Sequence, residues 1–280
     1  MSFYDDHRRP STYLESGDAT AALHQRRCFE TAPAHSIEIR SPAQRDESRG
    51  CRPGDLGSAV LGSYRNDYAL EAATKHPDRF AVMGKVPLND PASKDKLATW
   101  LKQPGMLGFR ISFRHAGTHS WLEDGTADWF WAAAEVHDIP VMIFAPFAVA
   151  KIGEIAERHP GLRVIVDHMG LNVQWKGKDL GPGVDVVLKF ARFKNVGVKA
   201  SCLPCYVDEP YPFPTLHPQI RRVVDAFGPQ RIFWGTDLSQ SPCSYRQNLT
   251  LFTEELRFLS ASDKEWIMGR ALSEWLRWPL

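Results

Sequence analysis

Six short apolar runs, five of them with a polar or charged residue at or near the end, recur roughly every 25–35 residues from position 81 onward, the pattern of buried strands separated by helical crossovers. They read AVMGKV from Ala81, MLGFRISF from Met106, PVMIFAP from Pro140, RVIVDHMG from Arg163, NVGVKAS from Asn195 and RIFWGTD from Arg231. A strand covered on both faces needs an unbroken, largely β-branched apolar run, and parallel neighbours need a crossover between them. Helix-like stretches at 129–137, 152–158, 184–193 and 219–227 supply the crossovers, with a further helix starting at Tyr68. His76-Pro77, His159-Pro160 and Gly228-Pro229 break the chain just before three of the runs. Junctions of one style predict one repeated βα architecture.

An α/β fold of the (β/α)8 TIM-barrel-like kind therefore follows, with an atypical or missing first βα unit. Six runs fall short of the eight strands of that barrel. Residues 58–63 offer one more strand, while residues 36–40 alternate polar and apolar over a very short span. Residues 1–55 are Arg- and Ser-rich and read as an atypical N-terminal segment, followed by a barrel domain over 56–280. An open doubly wound sheet is the alternative plan. No G-x-G-x-x-G follows an early strand and no Walker-type loop is present, so nucleotide binding has no support in the sequence.

Charge narrows the partners. The chain has 34 basic and 33 acidic side chains, which leaves no field for a polyanion, so nucleic acid is not an expected partner. No apolar stretch reaches the roughly 18 residues of a membrane span, and no apolar core follows the first basic residues as in a secretory signal. Five cysteines, a low and odd number, fit a reducing, cytoplasmic compartment. A small-molecule ligand is the expected partner, and a homo-oligomer is compatible with the composition.

Barrel loops at the carboxyl ends of strands carry chemistry, and here the runs finish on Arg110, Arg114, His168, Lys199 and Asp237. Asp237 is placed to ligate a metal or take a proton from water, or else to cap the turn that follows. His168 reads as a metal ligand, a general base or a polarising group, or as a packed histidine. Asp167 reads as pointing to the other side of the strand, in a structural ion pair. Arg110, a charge inside an apolar strand, must meet a carboxylate, from substrate or protein. Arg114 shares its face. Lys199 reads equally as a substrate ligand or a rim ion pair. Cys202-Leu203-Pro204-Cys205 reads as two packed reduced thiols, since no further zinc ligands stand at motif spacing. His115 and His119 read as loop residues because of Gly117 and Thr118 between them. Trp175 lies in a loop that can close over a ligand.

At Gly108-Phe109-Arg110-Ile111, Val166-Asp167-His168-Met169-Gly170 and Trp234-Gly235-Thr236-Asp237 the chain resembles the amidohydrolase-related (amidohydrolase 2) family of the amidohydrolase superfamily, closest to its pyrone dicarboxylate lactonase-like branch. The resemblance runs from about Tyr68 to Leu280. It implies a distorted barrel enzyme that hydrolyses a lactone, ester or amide bond of a small carboxylated compound. Asp237 would deprotonate the water, His168 would bind metal or polarise the carbonyl, and Arg110 and Arg114 would hold substrate carboxylates. A metal-dependent decarboxylase and a catalytically inactive barrel are the alternatives. A divalent metal, zinc or manganese, is implied for the family, with His168 and Asp237 as an incomplete ligand set here; a metal-free site fits equally. The family opens with His-x-His on its first strand, yet no two of this chain's ten histidines are separated by one residue. The expectation is that residues 1–55 are foreign to the barrel, as a shifted reading frame or a wrongly chosen start would make them.

Overall fold

In the computed structural model, which describes residues 64–114, 116–172, 175–177 and 180–278, all six apolar runs form strands. They are β1 (Val82–Gly84), β2 (Met106–Ser112), β3 (Val141–Phe144), β4 (Val164–Val166), β5 (Val196–Ala200) and β6 (Ile232–Trp234). Each pairs in parallel with the next, giving one sheet ordered β1-β2-β3-β4-β5-β6. A doubly wound sheet reverses its strand order at a switch point. Strict sequential order winds one way only, as in a barrel. The strand candidates at 36–40 and 58–63 lie outside the described residues, as does the rest of the N-terminal segment.

Helix α1 (Asp67–Lys75) precedes β1, and α2 (Asp128–Val136), α3 (Val149–Arg158), α4 (Leu180–Leu188) and α5 (Leu216–Phe227) cross between successive strands from β2 to β6. The link from β1 to β2 uses the short helix Ser93–Leu97 and a 3₁₀ turn, Trp100–Lys102. Helix α5 shows why these segments pack: Leu216, Ile220, Val223 and Phe227 are buried and line one stripe. Two expectations are corrected. The helix expected over 184–193 begins at Leu180, because Pro182 falls in the first turn, where its missing N–H costs nothing; it then tightens into a 3₁₀ turn, Lys189–Arg192. Residues Ala116–His119 form a single helical turn, so His119 is not in a loop; His115 lies outside the described residues.

Alternation along the strands divides the core in two. Val141, Ile143, Val164, Val166, Val196 and Val198 face the helices, where they pack with Phe130, Ile152 and Val187. Met83, Met142, Ile165 and Phe233 face the opposite way, into the curve of the sheet. Burying each such side chain contributes about 1.5–3 kcal/mol. Gly197 leaves room for the Phe233 ring, which a Cβ there would strike. The inner face is closed from its amino-terminal side by helix α6 (Ala271–Leu276), whose Ala271, Leu272 and Leu276 join Met142 and Phe233. Trp275 of α6 sits with its ring centroid 5.5 Å from that of Phe233. Arg163, just before β4, donates to the Trp275 carbonyl and to the Asp138 carbonyl, which fastens α6 to the starts of the strands. One end of the inner space is thus filled with apolar side chains, which leaves the other end for polar ones.

Candidate active site

The same alternation carries polar residues inward at the carboxyl ends. On β5 it runs Gly197, Lys199, Ser201, and on β4 Ile165, Asp167. Val166 pairs with Val198, so the next residues along, Asp167 and Lys199, stand side by side. Lys199 Nζ lies 2.9 Å from Asp167 Oδ1, and Arg110 Nε donates to Asp167 Oδ2 at 2.7 Å. The Asp167 side chain is 0% exposed, and those of Lys199 and Arg110 are 3% and 11% exposed. Asp167 is the ion-pairing residue the sequence indicated, but it faces the pocket; the expectation that it points away from His168 is corrected. Burial alone would raise its carboxyl; the Lys199 and Arg110 charges overcome that and hold it far below the ordinary carboxylate range. Burial pulls the Lys199 ammonium the other way, below the usual lysine value, against the attraction of Asp167.

His168 reaches the same pocket by a backbone reversal. The strand ends at Val166, and His168 and Met169 both adopt φ 52°, followed by Gly170 at 65°. Cys202 after β5 and Asp237 after β6 are also left-handed, at 57° and 52°. Each such residue costs about 1–2 kcal/mol, and strained non-glycine residues collect at functional sites. Four of the seven described, His168, Met169, Cys202 and Asp237, sit just past three successive strands; Asp138, Phe213 and Arg277 lie elsewhere. The Asp237 carbonyl accepts from Gln240 and Ser241, so its backbone closes the following turn while its side chain is left to the pocket.

Asp237 Oδ2 and His168 Nε2 are 3.5 Å apart, with side chains 13% and 5% exposed. The Arg110 guanidinium, which only donates, faces the same His168 nitrogen at 3.5 Å. The lone pair therefore belongs on Nε2 and the proton on Nδ1, which donates to Ser201 Oγ at 2.8 Å. Phe144 packs edge-on against the imidazole, its ring centroid 5.0 Å away. The Asp237 carboxylate and the His168 Nε2 lone pair, which faces Arg110, thus border one space at the strand ends.

Burial, outweighing the pull of Asp167, lowers the His168 pKa from 6.5 to about 4. The folded protein thus stays neutral at this position while the unfolded chain takes up a proton as pH falls through 6.5. This part of the stability is complete above pH 6.5 and is lost as pH falls towards 4, by up to about 1.4 kcal/mol per pH unit. Urea midpoints between pH 7.5 and 4.5 should fall more steeply in the wild type than in His168→Gln. Equal slopes would refute the assignment.

The other expected residues fall as follows. Arg114 is exposed, two residues beyond the end of β2. Trp175 packs against Gly183 of α4, where an added Cβ would meet its ring at 2.6 Å, so it is a helix-layer residue and not a cover over the pocket. Cys202 and Cys205 are free thiols with sulfurs 2.6 Å apart, and Cys205 Sγ donates to the Gln240 carbonyl. Two residues near the cluster escaped the sequence reading. Ser201 carries no charge to draw notice. Lys85 closes the AVMGKV run as Lys199 closes NVGVKAS, so the rule that selected Lys199 selects it too.

Zinc is normally held by three protein ligands plus water at a catalytic site. Among the described residues no group of three or more His, Cys, Asp or Glu side chains converges. The one candidate pair, His168 and Asp237, has the Arg110 guanidinium at its imidazole nitrogen, a like charge where a cation would go. The described residues alone therefore do not fit a divalent ion.

Sequential parallel strands, an apolar floor at their starts and a polar cluster at their ends define an α/β-barrel protein with a candidate site at the carboxyl face. The model of the amidohydrolase family matches residues 59–271, and the chain belongs to that family. It is 27% identical over 174 residues to the L-fucono-1,5-lactonase of Burkholderia ambifaria, a match covering 61% of this chain and 59% of that protein's length. Its structure is similar to that of a zinc-bound amidohydrolase from Burkholderia multivorans (TM-score 0.67, 21% identity, 76% of this chain and 78% of that one). It is also similar to a probable 2-pyrone-4,6-dicarboxylic acid hydrolase from Acinetobacter baumannii with citric acid bound (TM-score 0.61, 17% identity, 79% and 81%). No described helix is long and apolar enough to cross a membrane.

Proposed function

We propose that the protein hydrolyses the lactone, or a related ester or amide bond, of a small carboxylated compound. The observation that carries this reading is the pairing of Asp237 and His168 at 3.5 Å beyond the ends of β6 and β4. Asp237 is a carboxylate acceptor open to the pocket, and water is the donor a hydrolase brings to it. Asp237 takes one proton of that water as its oxygen bonds to the carbonyl carbon. The ring C–O bond then breaks, and the proton passes from Asp237 to the departing alkoxide, giving a hydroxy acid. The negative charge that develops on the carbonyl oxygen faces the Arg110 guanidinium. His168, its Nδ1 proton held by Ser201 and its Nε2 facing Arg110, fixes the wall of the pocket beside Asp237. Arg110 and, at the rim, Arg114 attract the substrate's acidic group. Lys199 acts through Asp167, keeping that carboxylate charged and Arg110 in place.

The lactonase relative supports a lactone substrate, and the zinc-bound structure supports a divalent ion in the wider family. Any ion in this chain needs ligands beyond those described. No step above depends on one. The test is a panel of carboxylated lactones, esters and aromatic acids, with base consumption at constant pH and release of carbon dioxide measured in parallel. Hydrolysis of a carboxylated lactone is the expected result. Carbon dioxide release without lactone opening would replace this reading by a decarboxylase, and binding without turnover by an inert barrel.

A further inference from the structure

We propose that Lys85 is a specificity-determining residue that binds an ionised carboxylate of the substrate, on the β1 side of the pocket. The inference rests on the hydrolase reading above and extends it to a residue that the reading does not use.

Strand β1 alternates as the others do. Val82 and Val86 belong to the helix-facing layer, and Met83 to the inner one, so Lys85 falls on the inner side with Met83. Its backbone direction is fixed after the strand ends: the Lys85 N–H donates to Asn66 Oδ1 at 2.8 Å, and Asn66 Nδ2 donates to the Lys85 carbonyl at 3.0 Å. The register then sets its neighbour. Gly84 is level with Phe109, so Lys85 is level with Arg110, on strands about 4.8 Å apart.

Two cations level on neighbouring strands repel. Arg110 is relieved by Asp167, but that carboxylate also serves Lys199. Lys85 has no carboxylate of its own among the described residues, and it is half-buried, so water screens it only in part. The described pocket therefore holds three cations, Lys85, Arg110 and Lys199, against two carboxylates, Asp167 and Asp237, and both carboxylates act on Arg110 and Lys199. Burial, reinforced by the nearby Arg110 charge, brings the Lys85 amine down to about 8, as expected for an ammonium held in that company. A carboxylate arriving from solution offsets the excess: it pairs Lys85, is attracted by Arg110, and further favours the charged form that Lys85 already holds at pH 7. Asp237 and His168 lie on the β4–β6 side, so a substrate anchored at Lys85 extends its reacting carbonyl across the pocket towards them. The ring-opened product then carries two carboxylates, one at each end.

The test measures binding and turnover separately. Malate, 2-hydroxyglutarate and 2-hydroxyadipate, which span a range of carboxylate separations, are titrated into the full chain by calorimetry at pH 7. The wild type should bind at least one of them. Lys85→Met should weaken that binding about 10- to 100-fold, the effect of one charge-assisted hydrogen bond, and Lys85→Arg should retain it within about 3-fold. The preference for a carboxylated γ-lactone over its methyl ester, read as a ratio of kcat/KM, should fall by a similar factor in Lys85→Met. Unchanged affinity in Lys85→Met, or no binding of any of the three acids by the wild type, overturns the inference. If lactone turnover persists in that case, the hydrolase reading stands without it. Loss of binding in Lys85→Met with no lactone opened by the wild type keeps the carboxylate subsite and removes the hydrolase.

Discussion

Asp237→Asn is expected to lower kcat on a carboxylated lactone by about 10²–10⁴-fold, the usual contribution of a general base, with little change in KM. The substitution isolates the charge. Asn has the same shape, still accepts a hydrogen bond, and among non-glycine residues is one of the few that tolerate the φ of 52° found there. The backbone carbonyl that closes the turn to Gln240 and Ser241 is untouched. Loss of activity with an unchanged thermal midpoint therefore reports the missing proton acceptor and not a disturbed loop. An Asn variant retaining more than about a third of the wild-type kcat would end the assignment of Asp237 as the base.

The second large effect is on stability. Asp167→Asn should destabilise the fold by about 3–5 kcal/mol, because it leaves two buried cations without their counter-charge. The magnitude follows from the asymmetry of buried ion pairs: forming one gains little, whereas breaking one strands a charge in a poorly hydrated place. Arg110 and Lys199 both point at this carboxylate, at 2.7 and 2.9 Å, from strands on either side of β4. Pairing Asp167→Leu with Lys199→Met should recover part of the loss, since one of the stranded charges is then gone. Chemical denaturation measures both variants. A loss below about 1 kcal/mol in Asp167→Asn, the level of a surface ion pair, would mean that water reaches the cluster.

Much of this could be read in the sequence, and the remainder failed for identifiable reasons. Apolar runs mark buried strands, and their closing residues mark the carboxyl face, so β1 to β6 and the positions of Arg110, His168, Lys199 and Asp237 were all legible. Two details were not. Strict alternation puts Asp167 inside with Ile165, and it should have sent His168 outwards. His168 enters the pocket through a left-handed turn, and nothing in a histidine or a methionine announces one, as a glycine can. The pairing of Lys199 with Asp167 depends on the register of β4 and β5, which long-range contacts fix. Lys85 was readable by the rule already in use, and was passed over because its run is short and its neighbours are unremarkable. Trp175 is not legible as a helix-layer residue because its place is set by the small Gly183, on a helix that begins before the expected 184–193 stretch.

Helix α6 has a further consequence. Its residues follow all six described strands, yet they supply the apolar floor on which Met142, Ile165 and Phe233 rest. On the ribosome, therefore, β1 to β6 emerge before the segment that fills the hollow they enclose. Until those final turns are released, the nascent sheet keeps an oily interior open to solvent, and to any chaperone within reach.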